Sequence, residues 1–174
     1  MWIRLKTNKL LVHPRLQVVE DDVRIPSGEI IQYLRYKNTT DGVCIICVRN
    51  DKVLVQQEYS YPPNQVLFQF PGGAIEKGET ADAAARRELL EESGYVVSSL
   101  KELGFFYTNN RRSDSKMYVY LAADGDTSST TNQDKEEDIA SKWIPIYKLQ
   151  EMIATGKVTN FSLLASWALF QAQK

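Results

Sequence analysis

Three carboxylates raise the first chemical question. At helical spacing, Glu88, Glu91 and Glu92 fall within a sector of about 100° on one face. Ala81 and Ala85 share that face and leave room above it. Crowding three like charges is unfavourable unless a cation sits among them. Donors that are all oxygen select a hard cation, Mg2+ with Mn2+ as the other choice. Arg87 stands at i, i+4 to Glu91, the spacing of a helical ion pair, and is placed to hold a carboxylate. The alternative reading of the same residues is a solvated acidic helix face.

Two elements must position these groups. Pro71-Gly72-Gly73-Ala74-Ile75-Glu76-Lys77-Gly78-Glu79 is a loop punctuated by glycine. Thr80 to Ser93 has helical character: Thr80 suits the N-cap, Asp82 the first turn, and Gly94 the position just past the end. The alanines at 81, 83, 84 and 85 favour the helix and allow another backbone to come close.

Loop and helix together resemble the Nudix box. Its fixed positions are filled by Gly73, Glu79, Arg87, Glu88, Leu89, Glu91, Glu92, Gly94 and Tyr95, over 23 residues. The resemblance implies an α+β fold: the Nudix α/β/α sandwich with a mixed sheet. It implies hydrolysis of a nucleoside diphosphate linked to a further group. It also implies that Glu88 and Glu92 bind metal directly, helped by Glu91 and the Gly72 carbonyl. On this reading Arg87 and Glu91 belong to the catalytic apparatus, and Glu79 braces the loop against the helix through Arg87.

Length and composition bound the rest. The 174 residues, 43% of them hydrophobic, are enough for one sizeable core and too few for two ordinary domains. A net charge of −1 gives no global attraction to nucleic acid or anionic membrane. No stretch approaches the roughly 20 apolar residues of a membrane span. The opening Met1-Trp2-Ile3-Arg4-Leu5-Lys6 does not read as a signal peptide, so a cytoplasmic location is expected. Cys44 and Cys47 spell C-x-x-C, but within the apolar run Val43–Val48 they read as strand residues on opposite faces, unable to share a metal or a disulfide. His13, the one histidine, reads as an ordinary polar residue beside Pro14 and argues against histidine-based metal sites.

Before the box, Gln17–Arg24 and Ile30–Tyr36 read as strands joined by a turn at Pro26-Ser27-Gly28. Similar N-terminal sheets in the ADP-ribose pyrophosphatase-like branch pack against a second subunit. The resemblance therefore implies a homodimer, with residues 1–38 as an N-terminal antiparallel β region and 39–174 as the hydrolase domain. A hairpin packed on its own domain is the alternative. Residues Gly42–Val48 and Lys52–Gln57 read as the next strand pair, turning at Asn50-Asp51. Tyr59, Tyr61 and Pro62 fit the substrate-strand pattern of ADP-ribose-type relatives; Glu58 and Ser60 depart from it, Ser60 where those relatives carry an arginine. Tyr59 is placed to stack on a base, or simply to pack.

After the box, the segment Thr108–Lys116 lies where relatives carry a substrate loop with proline; Asn109-Asn110 has none. Arg111 and Arg112 are suited to phosphate or a sugar-linked group, and equally to a solvated surface. The polar stretch Asp124–Glu137 reads as a loop. By alignment to the same branch, Glu137 is the first choice for the general base and Glu136 the next; a solvated acidic run is the alternative. Two helices close the chain, Pro145–Thr155 and one capped by Asn160. The implied activity is Mg2+-dependent cleavage of a nucleoside diphosphate sugar, ADP-ribose being the nearest analogue. Another substrate (a nucleoside triphosphate, a dinucleoside polyphosphate or an RNA 5′ end) and a non-catalytic nucleotide sensor are the alternatives. No continuous basic track suggests RNA or any other nucleic acid.

Overall fold

Along Gln17–Arg24 the buried positions Val19, Asp21 and Val23 alternate with less buried ones, the mark of a strand with one covered face. The structure, a computed structural model, describes residues 1–37, 40–123, 125–127 and 139–173. The chain divides into two compact units: Met1–Thr40 with Tyr107–Lys116, and Asp41–Phe106 with Met117–Lys174.

The first unit is an antiparallel sheet of β1 (Ile3–His13), β2 (Leu16–Arg24) and β3 (Ile30–Lys37), in that order. The strand β1 is not foreseen from the sequence. Register shifts between Arg4 and Lys6 and between Lys9 and Leu11 break its alternation, and nearly every position is exposed. Asp21 is buried at the sheet centre. It accepts hydrogen bonds from Thr7 Oγ1 on β1 and Arg35 Nε on β3, and these hold its carboxyl below the usual range against the upward push of burial. The segment Tyr107–Lys116 fastens to this sheet: Tyr36 N donates to Arg112 O at 2.7 Å, and Tyr33 Oη to Arg111 O at 2.7 Å.

In the second unit, β4 (Gly42–Arg49), β5 (Lys52–Ser60) and β6 (Gln65–Gln69) lead to α1 (Ala81–Ser93). They are followed by β7 (Tyr95–Val97), β8 (Leu100–Tyr107), β9 (Lys116–Ala123), β10 (Gly125–Thr127), β11 (Ile139–Pro145), α2 (Ile146–Ala154) and α3 (Phe161–Gln171). The six-stranded sheet runs β11-β5-β4-β9-β8, with β6 paired to β5. It is mixed: β4 is parallel to β9 and antiparallel to β5. Of the polar stretch read as a loop, Gly125–Thr127 instead pairs with β7.

The apolar run of β4 is buried on both faces because helices cover both sides. Val43, Ile45 and Cys47 meet Ala84, Ala85 and Leu89 of α1. Cys44 and Ile46 face the opposite layer with Leu149 and Met152 of α2 and Leu163, Trp167 and Phe170 of α3. The two cysteines are thus free and lie in different layers, as their spacing on a strand requires. Each fully buried leucine here contributes about 1.5–3 kcal/mol. The helix ends follow their residues: Thr80 Oγ1 accepts from Ala83 N, Gly94 takes the left-handed conformation at φ 71°, and Asn160 Oδ1 accepts from Leu163 N. Among the described residues, no helix is long and apolar enough to cross a membrane.

Candidate cation and diphosphate site

The strands β4 and β5 pair only at Val48–Val53 and Arg49–Lys52 and then part. The edge of β4 left by that parting is taken by the glycine loop. Val43 N donates to Gly73 O at 2.9 Å, Ile45 N to Pro71 O at 2.8 Å, and Ile75 N to Asp41 O at 2.9 Å. This contact is so close that a side chain on Gly72 would overlap the Val43 carbonyl oxygen. A side chain on Gly73 would overlap the carboxylate of Glu88. Gly72 is therefore required by its closeness to the core strand, whereas a side chain at Gly73 would push the Glu88 carboxylate away from the loop.

Arg87 ties that loop to the helix. Its guanidinium has five N–H donors, and each has an acceptor. Nε and Nη2 grip Glu79 Oε1 and Oε2, both at 3.0 Å. Nη2 also donates to Ala74 O at 3.0 Å, and Nη1 to Glu88 Oε1 at 2.8 Å and Glu91 Oε2 at 3.1 Å. The hydrogen bonds to Glu79, then those to Glu88 and Glu91, push the guanidinium further toward its charged form. Arg87 in turn holds Glu79 below the usual carboxylate range, aided by Glu76 N donating to Glu79 Oε2. The expected brace from Glu79 through Arg87 is present in this geometry, as is the Arg87–Glu91 pair.

Glu92 is held differently. It is 4% exposed, and its Oε2 accepts from Gly72 N at 3.0 Å and from Gln56 Nε2 at 3.1 Å. Gln56 is fully buried on β5. Sequence reasoning passed over it. The available signal was a glutamine closing the run Val53-Leu54-Val55, all of them buried.

The donor set suits a hard cation: three carboxylates carried on one helix, with a glycine loop held against them. Among the described residues, no three His, Cys, Asp or Glu side chains converge as a finished cage. Glu88 and Glu91 are instead drawn toward Arg87, and Glu92 toward Gly72 and Gln56.

The other expected residues lie as follows. Tyr59 is half exposed, and its Oη donates to Asn64 Oδ1 at 2.9 Å, pinning the β5–β6 turn. Arg111 and Arg112 lie in the first unit, where they line a cavity of about 250 Å3 with Arg4, Arg35, Tyr33 and Tyr36. There Arg112 Nη1 donates to Leu34 O, and its guanidinium lies 5.8 Å from the Tyr33 ring centre. Glu136 and Glu137 lie outside the described residues.

Comparison with known proteins adds four findings. The family model for the NUDIX domain matches residues 38–165. An ADP-ribose pyrophosphatase of Bacillus subtilis (strain 168) is 30% identical over 103 residues, covering 59% of this chain and 55% of that protein. A methanol dehydrogenase activator of Bacillus methanolicus is 28% identical over 121 residues, covering 68% of this chain and 64% of that one. The aligned stretch thus spans less than two thirds of either relative. Among solved structures, a crystal structure of an ADP compounds hydrolase superposes with a TM-score of 0.89 at 21% identity, covering 99% of this chain and 93% of that chain. That similarity shows the fold: an α+β arrangement of a mixed sheet between helices, with an additional three-stranded N-terminal sheet.

Proposed function

The chain belongs to the Nudix family, and on that premise we propose that it hydrolyses the diphosphate linkage of an ADP-ribose-like nucleoside diphosphate sugar, giving a nucleoside monophosphate and a sugar phosphate. The observation that carries the proposal is the clamp of the glycine loop between β4 and α1, which sets Gly72 and Gly73 beside Glu92 and Glu88. The names of relatives support the substrate class: ADP-ribose pyrophosphatases of Bacillus subtilis and of Mycobacterium tuberculosis, the latter 25% identical over 147 residues.

Glu88, Glu91, Glu92 and the Gly72 carbonyl would hold Mg2+, or Mn2+ in its place. When bound, such a cation neutralises phosphate oxygens and lowers the pKa of an attacking water. Arg87 aligns Glu88 and Glu91 through its hydrogen bonds. Glu137, or else Glu136, takes the proton from the water. Tyr59 stacks on the base with its exposed ring. Arg111 and Arg112, in their basic cavity, are suited to phosphate.

The proposal extends to a homodimer formed through the first unit. Leu11, Leu16, Ile30, Leu34 and Tyr36 are exposed apolar side chains on one face of that sheet by strand register. Sedimentation at micromolar concentration tests this; a monomer at all concentrations would refute it. A cytoplasmic location remains part of the same reading.

The decisive assay follows nucleoside monophosphate release from nucleotide sugars, dinucleoside polyphosphates and nucleoside triphosphates, with and without Mg2+. Release confined to ADP-ribose-like compounds is the expected result. Release from triphosphates alone would move the substrate class, and tight binding without release would make the protein a sensor. Glu137→Gln should lower kcat about a hundredfold with Mg2+ affinity retained; an unchanged kcat would move the base elsewhere.

A further inference from the structure

Gln56 is a side chain that the proposed reaction does not use. Three buried apolar residues, Val53, Leu54 and Val55, precede it on β5, and it is fully buried itself. An amide in such surroundings is unfavourable unless its hydrogen bonds are met. Here they are met on one side only. Nε2 donates to Glu92 Oε2 at 3.1 Å and to Ser141 Oγ of β11 at 3.3 Å, while Oε1 is buried without a partner. The reverse orientation of the amide would set its oxygen against the carboxylate oxygen, so the nitrogen faces Glu92.

An apolar side chain of the same length would fill this position with no orphaned oxygen. What the glutamine adds is a single donor aimed at one atom of the box. Three elements meet there: α1 supplies Glu92, the loop supplies Gly72 N, and β5 supplies Gln56. Ser141 completes the frame, since its Oγ lies 3.4 Å from Glu92 O and accepts the second amide hydrogen of Gln56.

We infer that Gln56 is a positioning residue that fixes the Glu92 carboxylate in the orientation in which it receives a divalent cation. The inference rests on the reading of the box as a cation site. The Glu92 carboxylate is gripped from a different side than its neighbours. Glu88 and Glu91 take their places from Arg87, while the Glu92 carboxylate takes two neutral N–H donors from the sheet side and the loop. Neutral donors fix direction without adding a cation that would compete with a metal for the carboxylate.

The test measures Mn2+ affinity by electron paramagnetic resonance titration, and the thermal midpoint without metal, for the parent protein, Glu92→Gln and Gln56→Met. Gln56→Met should weaken Mn2+ binding about tenfold while the thermal midpoint stays level, because relief of the orphaned oxygen offsets the donor lost to Glu92, which keeps Gly72 N. A merely structural glutamine would not give that split: affinity and midpoint falling together would overturn the inference. So would Mn2+ binding equal to the parent in Gln56→Met while Glu92→Gln loses it. A parent that binds no Mn2+ would instead bring down the cation-site reading, and this inference with it. Should Gln56→Met fail to fold, Ser141→Ala carries the same test, with affinity expected to fall about twofold to threefold; no change would again overturn it.

Discussion

The box holds its carboxylates in two ways, and the two regions differ in kind. On the loop side, Glu79, Glu88 and Glu91 share one guanidinium, with side-chain exposures of 16%, 13% and 36%. On the sheet side, Glu92 is almost fully buried and is held by an amide and a backbone N–H. The ionic region can tolerate rearrangement, because a charge partly open to water loses little when a partner moves. The buried region is less tolerant, because each of its donors sets the direction of the carboxylate. Adaptable and rigid carboxylates are thus combined on one helix.

Glu92→Gln should break the rigid side most severely. Mg2+-dependent turnover should fall on the order of a hundredfold or more, with the protein still folded; undiminished kcat would remove Glu92 from the site. Gly72→Ala is the next largest. Its Cβ would strike the Val43 carbonyl, and we expect a loss of about 3 kcal/mol in urea unfolding. The control is Gly78→Ala in the same loop, where nothing lies within 4 Å and only the positive φ of 88° opposes the change, at about 1 kcal/mol. Equal effects would show that contact with β4 is not what demands Gly72.

The ionic side should respond more mildly. Arg87→Lys keeps a charge but loses the five-way fork, and turnover should fall about tenfold with the fold intact. A loss as large as that of Glu92→Gln would erase the proposed difference between the regions. The smallest effect is on acid stability. Glu79 has a lowered pKa in the folded protein, so its contribution is present above the unfolded carboxylate pKa and is lost as pH falls through the folded value. Below that window Glu79→Gln and the parent should unfold alike, and above it the parent should be the more stable. Thermal midpoints measured against pH in metal-free buffer check the sign; a gap that widens toward acid would contradict it.

The contrast also explains what could be read in advance. Arg87 and Glu91 lie at i, i+4, so helical spacing alone pairs them, and Thr80 and Gly94 mark the helix ends through local chemistry. The grip of Arg87 on Ala74 O and of Gln56 on Glu92 spans 13 and 36 residues, and nothing local encodes either. The strand pair around Asn50-Asp51 was legible as a turn, and both residues do adopt positive φ. That β4 would leave β5 after two rungs and run parallel to β9 was not, because pairing across more than seventy residues leaves no periodic trace. In the first unit, β2 and β3 keep their alternation and were found, whereas the irregular register of β1 concealed it.

The parting of β4 from β5 has a practical consequence. The amide protons of Val43 and Ile45 belong to a core strand, yet their acceptors are Gly73 O and Pro71 O. Their exchange with deuterated solvent therefore reports each departure of the loop, against the neighbouring rungs of the same strand as an internal clock. Two protons serve as a built-in gauge of how often the site is assembled, readable before any substrate is known.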